Sequence, residues 1–333
     1  MTASESRLTW GVVGTGDISR SICSDLAHLD TARLLSVCSR RTSTAEQFAA
    51  ETGAERVHGH LDEMLADDDL DIVYIGTPHA THLPIALAAL RAGKHVLIEK
   101  PLGVSADEAR IIADTARRSG RFAMEAMWMK FAPAYRSLLN AVRAGAIGQV
   151  RSIRASFGLP FDTADSERWS AARSSSTLLD QGIYPVTLAL DVLGAPWRIH
   201  ADHLLRDDGV DLASRATLEY AGGRRADLAA SMTEYIDPSA SLSGSLGWID
   251  VPAPFWVTTR FTVHAGTIAD AFRSPKTTAL EPEGHGYVPM LRAVTDAVRQ
   301  GLTEHPLHPL EASIRTFVAL DRIRSAANAT RAA

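Results

Sequence analysis

The chain has 333 residues, of which 46% are hydrophobic and 22% charged, and this composition excludes a disordered or collagen-like protein. A formal net charge of −5 provides no overall positive field for nucleic acid or an anionic membrane, and the two cysteines, Cys23 and Cys38, cannot build a disulfide framework. The N-terminal residues lack the pattern of a signal peptide and no stretch reaches the roughly 18 apolar residues of a membrane span, so we expect a cytoplasmic protein.

The first 125 residues alternate between short apolar runs and helical segments. This alternation predicts an α/β domain with a parallel sheet covered on both faces, spanning residues 1–125. Strands are predicted over 8–13, 33–38, 71–75, 95–98 and 121–124, and helices over 17–29, 43–51, 79–91 and 105–119.

The pattern changes after residue 125, where several strands follow one another without helices between them. Consecutive strands predict a mainly antiparallel sheet, and hence an α+β domain over residues 126–333. The predicted strands cover 148–157, 197–205, 213–220, 226–232 and 255–263, after a helix over 133–144 and before helices over 287–300 and 310–326. We expect the last helix to pack back on the first domain, and an exposed face of the sheet with apolar side chains would need cover.

A glycine loop connects the first predicted strand to the first predicted helix. Gly14 permits a tight turn, and Gly16 lets the backbone approach a pyrophosphate. The N–H groups of Asp17, Ile18 and Ser19 would open the helix, whose N-terminus attracts an anion. Serine stands where a third glycine is usual. A plain turn is the alternative, but the order of strand, loop and helix favours dinucleotide binding.

The second predicted strand is followed by Ser39, Arg40 and Arg41. An NAD site usually has an acidic residue at this point, whereas an arginine matches the charge and forked geometry of a 2′-phosphate. The sequence therefore favours NADP over NAD. The alternative is a solvated loop.

The segment Glu99-Lys100-Pro101 ends the fourth predicted strand at the carboxyl edge of the sheet, where open α/β sheets bind ligands. His79 follows the third strand and lies at the same edge. Lysine is a compact donor whose pKa shifts readily, so Lys100 is a candidate catalytic residue. A surface lysine before a turn is the alternative.

Several motifs together resemble the glucose–fructose oxidoreductase/inositol dehydrogenase (Gfo/Idh/MocA) family. The resemblance covers most of the chain, and its details look most like the branch of dimeric dihydrodiol dehydrogenase and NADP-dependent xylose dehydrogenase. It is carried by Thr77-Pro78, His82, Ala92-Gly93-Lys94-His95-Val96, Glu99-Lys100-Pro101, Met124-Glu125-Ala126-Met127-Trp128, Gly148-Gln149-Val150-Arg151 and the segment from Leu178 to Tyr184.

The resemblance implies a Rossmann domain, a second domain that binds substrate and forms homodimers or higher homo-oligomers, and a cis bond before Pro101. It implies that Lys100 contacts the reacting oxygen and the nicotinamide ribose, that Tyr184 carries the proton, and that Asp180 orients or binds substrate. A nearby ammonium would favour the phenolate of Tyr184. Cofactor contacts are expected from Thr77, Pro78, His79 and Glu99, and substrate contacts from Trp128, Phe157, Asp180 and Tyr184.

These expectations describe an NAD(P)-dependent dehydrogenase or reductase. It would transfer hydride between nicotinamide and a secondary alcohol or hemiacetal carbon of a sugar, polyol or trans-dihydrodiol. A keto-sugar reductase is an alternative, and so is a glycosidase- or epimerase-like enzyme that retains and recycles its cofactor. A non-catalytic regulator is disfavoured because Lys100 and Tyr184 are both present. No cysteine–histidine cluster predicts a metal site, and no nucleic acid or membrane partner is expected.

Overall fold

A computed structural model describes residues 7–161, 170–173 and 176–331. The chain divides into two compact units, Met1–Phe131 with Pro282–Ile314 and Ala132–Glu281 with Arg315–Ala333. The first unit therefore extends six residues beyond the predicted boundary at residue 125, and it includes a returning segment, residues 282–314, that the sequence analysis assigned to the second domain. Among the described residues, no helix is long and apolar enough to cross a membrane.

The described residues form two sheets and helices of very different length. The strands are β1 (Leu8–Val13), β2 (Ala32–Cys38), β3 (Arg56–His58), β4 (Ile72–Ile75), β5 (His95–Glu99), β6 (Ala123–Ala126), β7 (Val150–Gly158), β8 (Arg198–Leu205), β9 (Asp211–Tyr220), β10 (Arg224–Ser231), β11 (Ala240–Gly244), β12 (Gly247–Val251), β13 (Arg260–Ala265), β14 (Lys276–Ala279) and β15 (Ala327–Arg331). The helices are α1 (Asp17–Leu26), α2 (Thr42–Thr52), α3 (Leu61–Leu65), α4 (His82–Arg91), α5 (Ala106–Ser119), α6 (Pro133–Arg143), α7 (Ile183–Leu193), α8 (Ile268–Arg273), α9 (Val288–Arg299) and α10 (Leu310–Ala326).

The first unit is built on a six-stranded parallel sheet with the order β3-β2-β1-β4-β5-β6. All four residues of β4 are fully buried, as expected for a parallel strand covered on both faces. Strand β3 and helix α3 were not predicted from the sequence, because they are short and supply little periodicity. The strand predicted at 121–124 lies two residues too early, because β6 begins at Ala123.

A buried carboxylate in α1 binds the returning segment, residues 282–314. Asp25 is fully buried and accepts hydrogen bonds from the backbone N–H groups of His285 and Tyr287, both at 2.8 Å. The Nδ1 atom of His285 lies 2.9 Å from the same carboxylate. The last helix was expected to pack on the first domain, but only the first turn of α10 belongs to the first unit. Helix α9 instead follows directly after the contact with α1.

The second unit is built on a nine-stranded, mainly antiparallel sheet with the order β14-β13-β12-β11-β7-β10-β9-β8-β15. The pairs β7–β10 and β8–β15 are parallel. Helix α7 packs on β7 and β10, and it is tied to α6 by a 2.9 Å hydrogen bond from Tyr135 to Asp191. Burial, and then the charge of Asp191, raise the pKa of Tyr135 well above its usual value, so this phenol stays a donor.

The other face of this sheet carries a polar region at β7 and the strands beside it. Along β7 the side chains of Ile153 and Ala155 are buried, whereas Arg154 is exposed. A concave region of about 800 Å³ on this face is lined mainly by charged and hydroxyl side chains, including Arg154, Ser156, Ser241, Asp250, Arg260 and Thr262.

One predicted strand is wrong in its extent. Residues Phe255–Val257 form a short 3₁₀ turn, and β13 begins only at Arg260. The short strands β11, β12 and β14 were not predicted, because runs such as Ala-Ser-Leu-Ser-Gly in β11 contain few of the residues that favour strands.

Candidate active site

The residues predicted to bind cofactor all belong to the first unit and lie at one edge of its sheet. Because carboxyl ends of parallel strands share an edge, the loops that follow β1, β2, β4, β5 and β6 meet there. These loops and strand ends carry Gly14, Gly16, Asp17 and Ile18; Ser39, Arg40 and Arg41; Thr77, Pro78 and His79; Glu99 and Lys100; and Trp128.

The glycine loop has the backbone geometry that a pyrophosphate site needs. Gly14 has a φ of 102°, and a Cβ there would lie 2.4 Å from the carbonyl oxygen of Gly76. Nothing lies within 4 Å of the position that a Cβ on Gly16 would take, and no side chain caps α1 at this residue. The first turn of α1 therefore presents N–H groups without helical partners to open space.

The serine in place of the third glycine is accommodated by a neighbouring glycine. Ser19 is buried, and its Oγ would lie 2.5 Å from a Cβ on Gly76. Because Gly76 has no side chain, the hydroxyl of Ser19 fits between α1 and the sheet. The close packing that a third glycine usually permits is thus provided by Gly76 on the sheet side instead of by a glycine in α1.

The loop after β2 exposes two guanidinium groups beside a helix N-terminus. Arg40 and Arg41 are exposed, and neither forms an ion pair with a residue that the structure describes. Arg41 precedes α2 and its side chain does not cap the helix. Ser39 lies half-buried at the end of β2. This arrangement suits an anion that needs two charged forks and the positive end of a helix.

At the end of β5, Glu99 and Lys100 have different surroundings. Glu99 is buried, and its Oε2 accepts a 2.8 Å hydrogen bond from the hydroxyl of Tyr74. Burial and then the charge of Glu99 raise the pKa of Tyr74 well above its usual value. Lys100 is half-buried, and the bond between Lys100 and Pro101 is cis, which confirms the expectation from the resemblance.

Two buried polar side chains hold the turn that follows Lys100. The Nδ1 atom of His82 lies 2.8 Å from the carbonyl oxygen of Pro101, and its Nε2 lies 2.7 Å from that of Thr77. Glu125 accepts a 2.9 Å hydrogen bond from the N–H of Leu102. His82 and Glu125 belong to motifs that carry the family resemblance, but their contacts with this turn were not predicted.

In the second unit, Asp180 and Tyr184 lie on either side of a change in helix type. Leu178–Gly182 is a π-helical turn that contains Asp180, and α7 begins at Ile183, so Tyr184 is its second residue. Pro185 has no N–H and cannot bond to the carbonyl of Gln181, which explains the irregular turn and the fresh helix start. The regular helix that would put both residues on one face is therefore interrupted.

A carboxylate also supports this second turn. The N–H of Leu178 donates to Asp211 at 2.7 Å, and the hydroxyl of Thr177 donates to the carbonyl of Leu212 at 3.0 Å. Burial raises the pKa of Asp211 above its usual value, although the hydroxyl of Ser176 and the N–H of Leu178 act to lower it.

Tyr184 lies against two other aromatic rings. Phe157 and Trp256 are stacked with ring centroids 3.5 Å apart and planes at 6°, and each ring centroid lies 5.8 Å from that of Tyr184. The structure thus brings together two predicted residues, Phe157 and Tyr184. Trp256 was not among the predicted site residues, because its neighbourhood depends on a strand almost a hundred residues earlier.

Trp128, the remaining predicted substrate residue, belongs to the first unit. It is buried, and its ring centroid lies 5.1 Å from that of Tyr287 in the returning segment. Asp180 is half-buried in its π-helical turn. The predicted catalytic residues are therefore divided, with Lys100 in the first unit and Asp180 and Tyr184 in the second.

Other chemistries find little support in the described parts of the chain. Among those residues no group of three or more histidine, cysteine, aspartate or glutamate side chains is arranged to hold a metal ion. Both cysteines are buried and unpaired, and burial raises the pKa of Cys23 to about 12 and that of Cys38 to about 11. Neither thiol is a ready nucleophile at neutral pH.

Comparisons with known proteins agree with this arrangement. Residues 8–127 match the model of an oxidoreductase family with an NAD-binding Rossmann fold, GFO/IDH/MocA, and residues 135–250 match the model of the C-terminal domain of the same family. The bovine trans-1,2-dihydrobenzene-1,2-diol dehydrogenase is 32% identical over 97% of this chain and 98% of its own length. The human protein of that name is 30% identical with the same coverage.

A solved structure gives a similar result. A 3-ketoreductase from Actinomadura kijaniata, in complex with NADP and TDP-benzene, superposes with a TM-score of 0.86 at 29% identity, covering 98% of this chain and all of the other. Variants of that enzyme have been solved in which a lysine or a tyrosine is replaced. An aldose-aldose oxidoreductase from Caulobacter crescentus, 21% identical with a TM-score of 0.85, shares the fold.

Proposed function

Because the chain belongs to the GFO/IDH/MocA oxidoreductase family, we propose that it transfers hydride between a nicotinamide cofactor and a secondary alcohol or hemiacetal carbon of a sugar, polyol or trans-dihydrodiol. The observation that carries the proposal is the turn at the end of β5. It places Lys100 at the ligand-binding edge of a parallel sheet whose glycine loop fits a dinucleotide.

The chain's own residues fit the cofactor. Gly14 and Gly16 would let the pyrophosphate approach the N-terminus of α1, with the N–H groups of Asp17 and Ile18 as donors. Ser39, Arg40 and Arg41 would hold a 2′-phosphate, which supports NADP as the preferred form and NAD as the second. Thr77, Pro78, His79 and Glu99 lie at the same edge of the sheet. When bound, the nicotinamide supplies the hydride acceptor or donor.

Lys100 and Tyr184 would handle the oxygen and its proton. In the oxidative direction Tyr184 takes the hydroxyl proton as hydride leaves the carbon, while the ammonium of Lys100 hydrogen-bonds the same oxygen. Asp180 orients the substrate. The lysine and the tyrosine replaced in the solved ketoreductase variants are separated by the same number of residues as Lys100 and Tyr184, which supports this assignment.

The rings of Phe157 and Trp256 beside Tyr184 offer flat apolar surfaces to a ring-shaped substrate. Trp128 is proposed as a further substrate contact. The printed activities of the relatives, a diol dehydrogenase and a ketoreductase, leave two directions for this chain, alcohol oxidation and keto-sugar reduction.

A panel of aldoses, polyols, keto-sugars and trans-dihydrodiols with both cofactors, followed by nicotinamide absorbance, tests the proposal. Hydride transfer to or from at least one class is expected, faster with NADP than with NAD. Absence of turnover with every class, together with a reduced-nicotinamide absorbance that persists through purification, would favour an enzyme that recycles a retained cofactor.

We also propose a cytoplasmic homodimer formed through the polar face of the second sheet. Arg154 and Arg260 line its concave region together with Asp237 and Asp250, so the face carries both signs of charge and suits contact with a second copy about a twofold axis. Light scattering should give twice the chain mass of 35.8 kDa. Arg154→Glu should shift the mass toward the monomer, and a wild-type mass near that of one chain at all concentrations would contradict the proposal.

A further inference from the structure

The turn after Lys100 is fixed from two sides by side chains that are almost fully buried. His82 is 0% exposed and contacts the carbonyl oxygen of Pro101, and Glu125 is 1% exposed and accepts from the N–H of Leu102. One side chain begins α4 and the other lies in β6, so two separate elements hold the peptide groups next to Lys100. The backbone of this turn has little freedom while both contacts persist.

Both carboxylate oxygens of Glu125 have hydrogen-bonding partners. Its second oxygen, Oε2, accepts a 2.7 Å hydrogen bond from the hydroxyl of Ser313 and lies 3.1 Å from Nε2 of His308. Burial acts to raise the pKa of Glu125, but the hydrogen bond and charge of His308 and the hydroxyl of Ser313 lower it by more, so the pKa lies below its usual value. A buried carboxylate with three donors is a costly group that holds several segments in one geometry.

A purely structural role would be to fasten the returning segment, since His308 and Ser313 both belong to it. Asp25 already shows what such a fastener looks like in this unit: a fully buried carboxylate that binds two N–H groups and a histidine of the returning segment. Glu125 differs in one respect, because one of its oxygens is committed to the turn of Lys100.

We infer that Glu125 is a positioning residue for Lys100, and that His308 and Ser313 hold its carboxylate in place for that purpose. The inference rests on the proposed function for its catalytic meaning. The contact itself is a property of the protein without substrate or cofactor. Glu125 acts through the backbone of Leu102 and does not touch the reacting atoms.

Two substitutions separate the role of the acceptor from that of the side-chain volume. Glu125→Gln keeps an oxygen for the N–H of Leu102 and turns an amide toward Ser313 and His308. Glu125→Leu keeps similar bulk and removes every acceptor. Asp25→Asn is the matched control, because it perturbs an equally buried carboxylate in α1 that also binds the returning segment but makes no contact with the turn of Lys100.

The position of Lys100 can be read directly in the full-length protein. The chain has only four lysines, Lys94, Lys100, Lys130 and Lys276, so labelling lysine with ¹³C at Cε gives four NMR signals. Lys100→Met assigns the relevant one. Glu125→Leu should shift the Lys100 signal and accelerate amide exchange at Leu102 by about 10–100-fold, Glu125→Gln should restore both toward wild type, and Asp25→Asn should change neither.

Turnover provides the second readout. Glu125→Leu should lower kcat by about tenfold or more with a small change in the substrate KM, and Glu125→Gln should recover most of the loss. If Glu125→Leu does not fold, Ser313→Ala should show the same changes to a smaller extent. A Lys100 signal and a Leu102 exchange rate in the Glu125 or Ser313 variants that match those of Asp25→Asn would overturn the inference. Failure of the proposed function would instead appear as absent hydride transfer in the wild type, with the NMR result unaffected.

Discussion

In the turn next to Lys100 and in the turn that carries Asp180, a backbone N–H donates to a carboxylate, but the two carboxylates have pKa values shifted in opposite directions. In the first unit the N–H of Leu102, two residues after Lys100, donates to Glu125. In the second unit the N–H of Leu178, two residues before Asp180, donates to Asp211. The pKa of Glu125 is lowered by its partners, whereas burial raises that of Asp211.

The difference shows how each turn is stabilised. Around Lys100 the partners of the carboxylate are a histidine and a serine, so a charge is held among polar groups. Around Tyr184 the stacked rings of Phe157 and Trp256 add aromatic packing to the hydrogen bonds that Asp211 and Thr177 make to the preceding turn. The proposed proton donor thus lies against aromatic rings, and the proposed ammonium belongs to a residue next to a turn whose backbone is held by hydrogen bonds.

The largest expected effect comes from removing the proposed proton carrier without disturbing those aromatic contacts. Tyr184→Phe keeps the ring against Phe157 and Trp256 and should lower turnover by about 10²–10⁴-fold, the usual contribution of general acid–base catalysis. Cofactor affinity should stay close to wild type. Turnover with a substrate deuterated at the reacting carbon shows whether hydride transfer limits the rate.

If Tyr184→Phe kept near-normal turnover with a full deuterium isotope effect, the proton would have to reach the oxygen by another route. Lys100 and His79 are then the next bases to test. Trp256→Leu serves as a control for packing, because it removes a neighbouring ring and leaves the hydroxyl of Tyr184 in place.

Lys100→Met tests the polar side of the comparison. Loss of the donor proposed for the reacting oxygen should lower turnover by about 10²–10³-fold, and cofactor binding should weaken as well if the ribose contact is made. If the two residues act on one oxygen as proposed, the double variant with Tyr184→Phe should be little slower than the poorer single variant. Strictly multiplicative losses in the steady-state rates would show that they act independently.

A smaller effect is expected at the cofactor loop of the first unit. Arg40→Ala should raise the NADP KM by about 10–100-fold, since a charged hydrogen bond to a phosphate contributes about 1.5–3 kcal/mol. The KM for NAD should hardly change, because NAD has no 2′-phosphate. An equal rise for both cofactors would show that Arg40 supports the loop as a whole, and Arg41→Ala would then be compared.

Those parts of the candidate site that depend on local sequence pattern could be predicted from the sequence. Gly14, Arg40 and Lys100 each follow an apolar strand, and the ends of parallel strands meet at one edge, so their placement in one region could be predicted. The cis bond before Pro101 was implied by the family resemblance and is present.

The supporting contacts were beyond reach because they join distant residues. His308 and Ser313 lie 183 and 188 residues after Glu125, and no spacing in the sequence connects them. The same holds for Asp25 and His285, whose contact brings the returning segment to α1. Pro185 indicates an interruption of the helix close to Tyr184, but it does not fix the geometry of the π-helical turn at Asp180.

The two carboxylates that hold the turns should respond to pH in opposite directions. The folded pKa of Glu125 lies below its unfolded value, so its contribution to the free energy of unfolding is present above the usual glutamate pKa of about 4.3 and is lost as the pH falls through the folded pKa. The folded pKa of Asp211 lies above its unfolded value, so its contribution is fully present below the usual aspartate pKa of about 3.9 and is lost as the pH rises through the folded pKa.

Urea unfolding at a series of pH values from 7 to 3 measures both contributions to the free energy of unfolding. Glu125→Gln should be less stable than wild type at pH 7, by about 1–3 kcal/mol, and approach it in acid. The free energy of unfolding of Asp211→Asn should be closest to that of wild type at neutral pH and should fall below it in acid. Parallel pH profiles for the two variants would mean that the carboxylates are in equivalent settings, and the contrast between the turns would have to be abandoned.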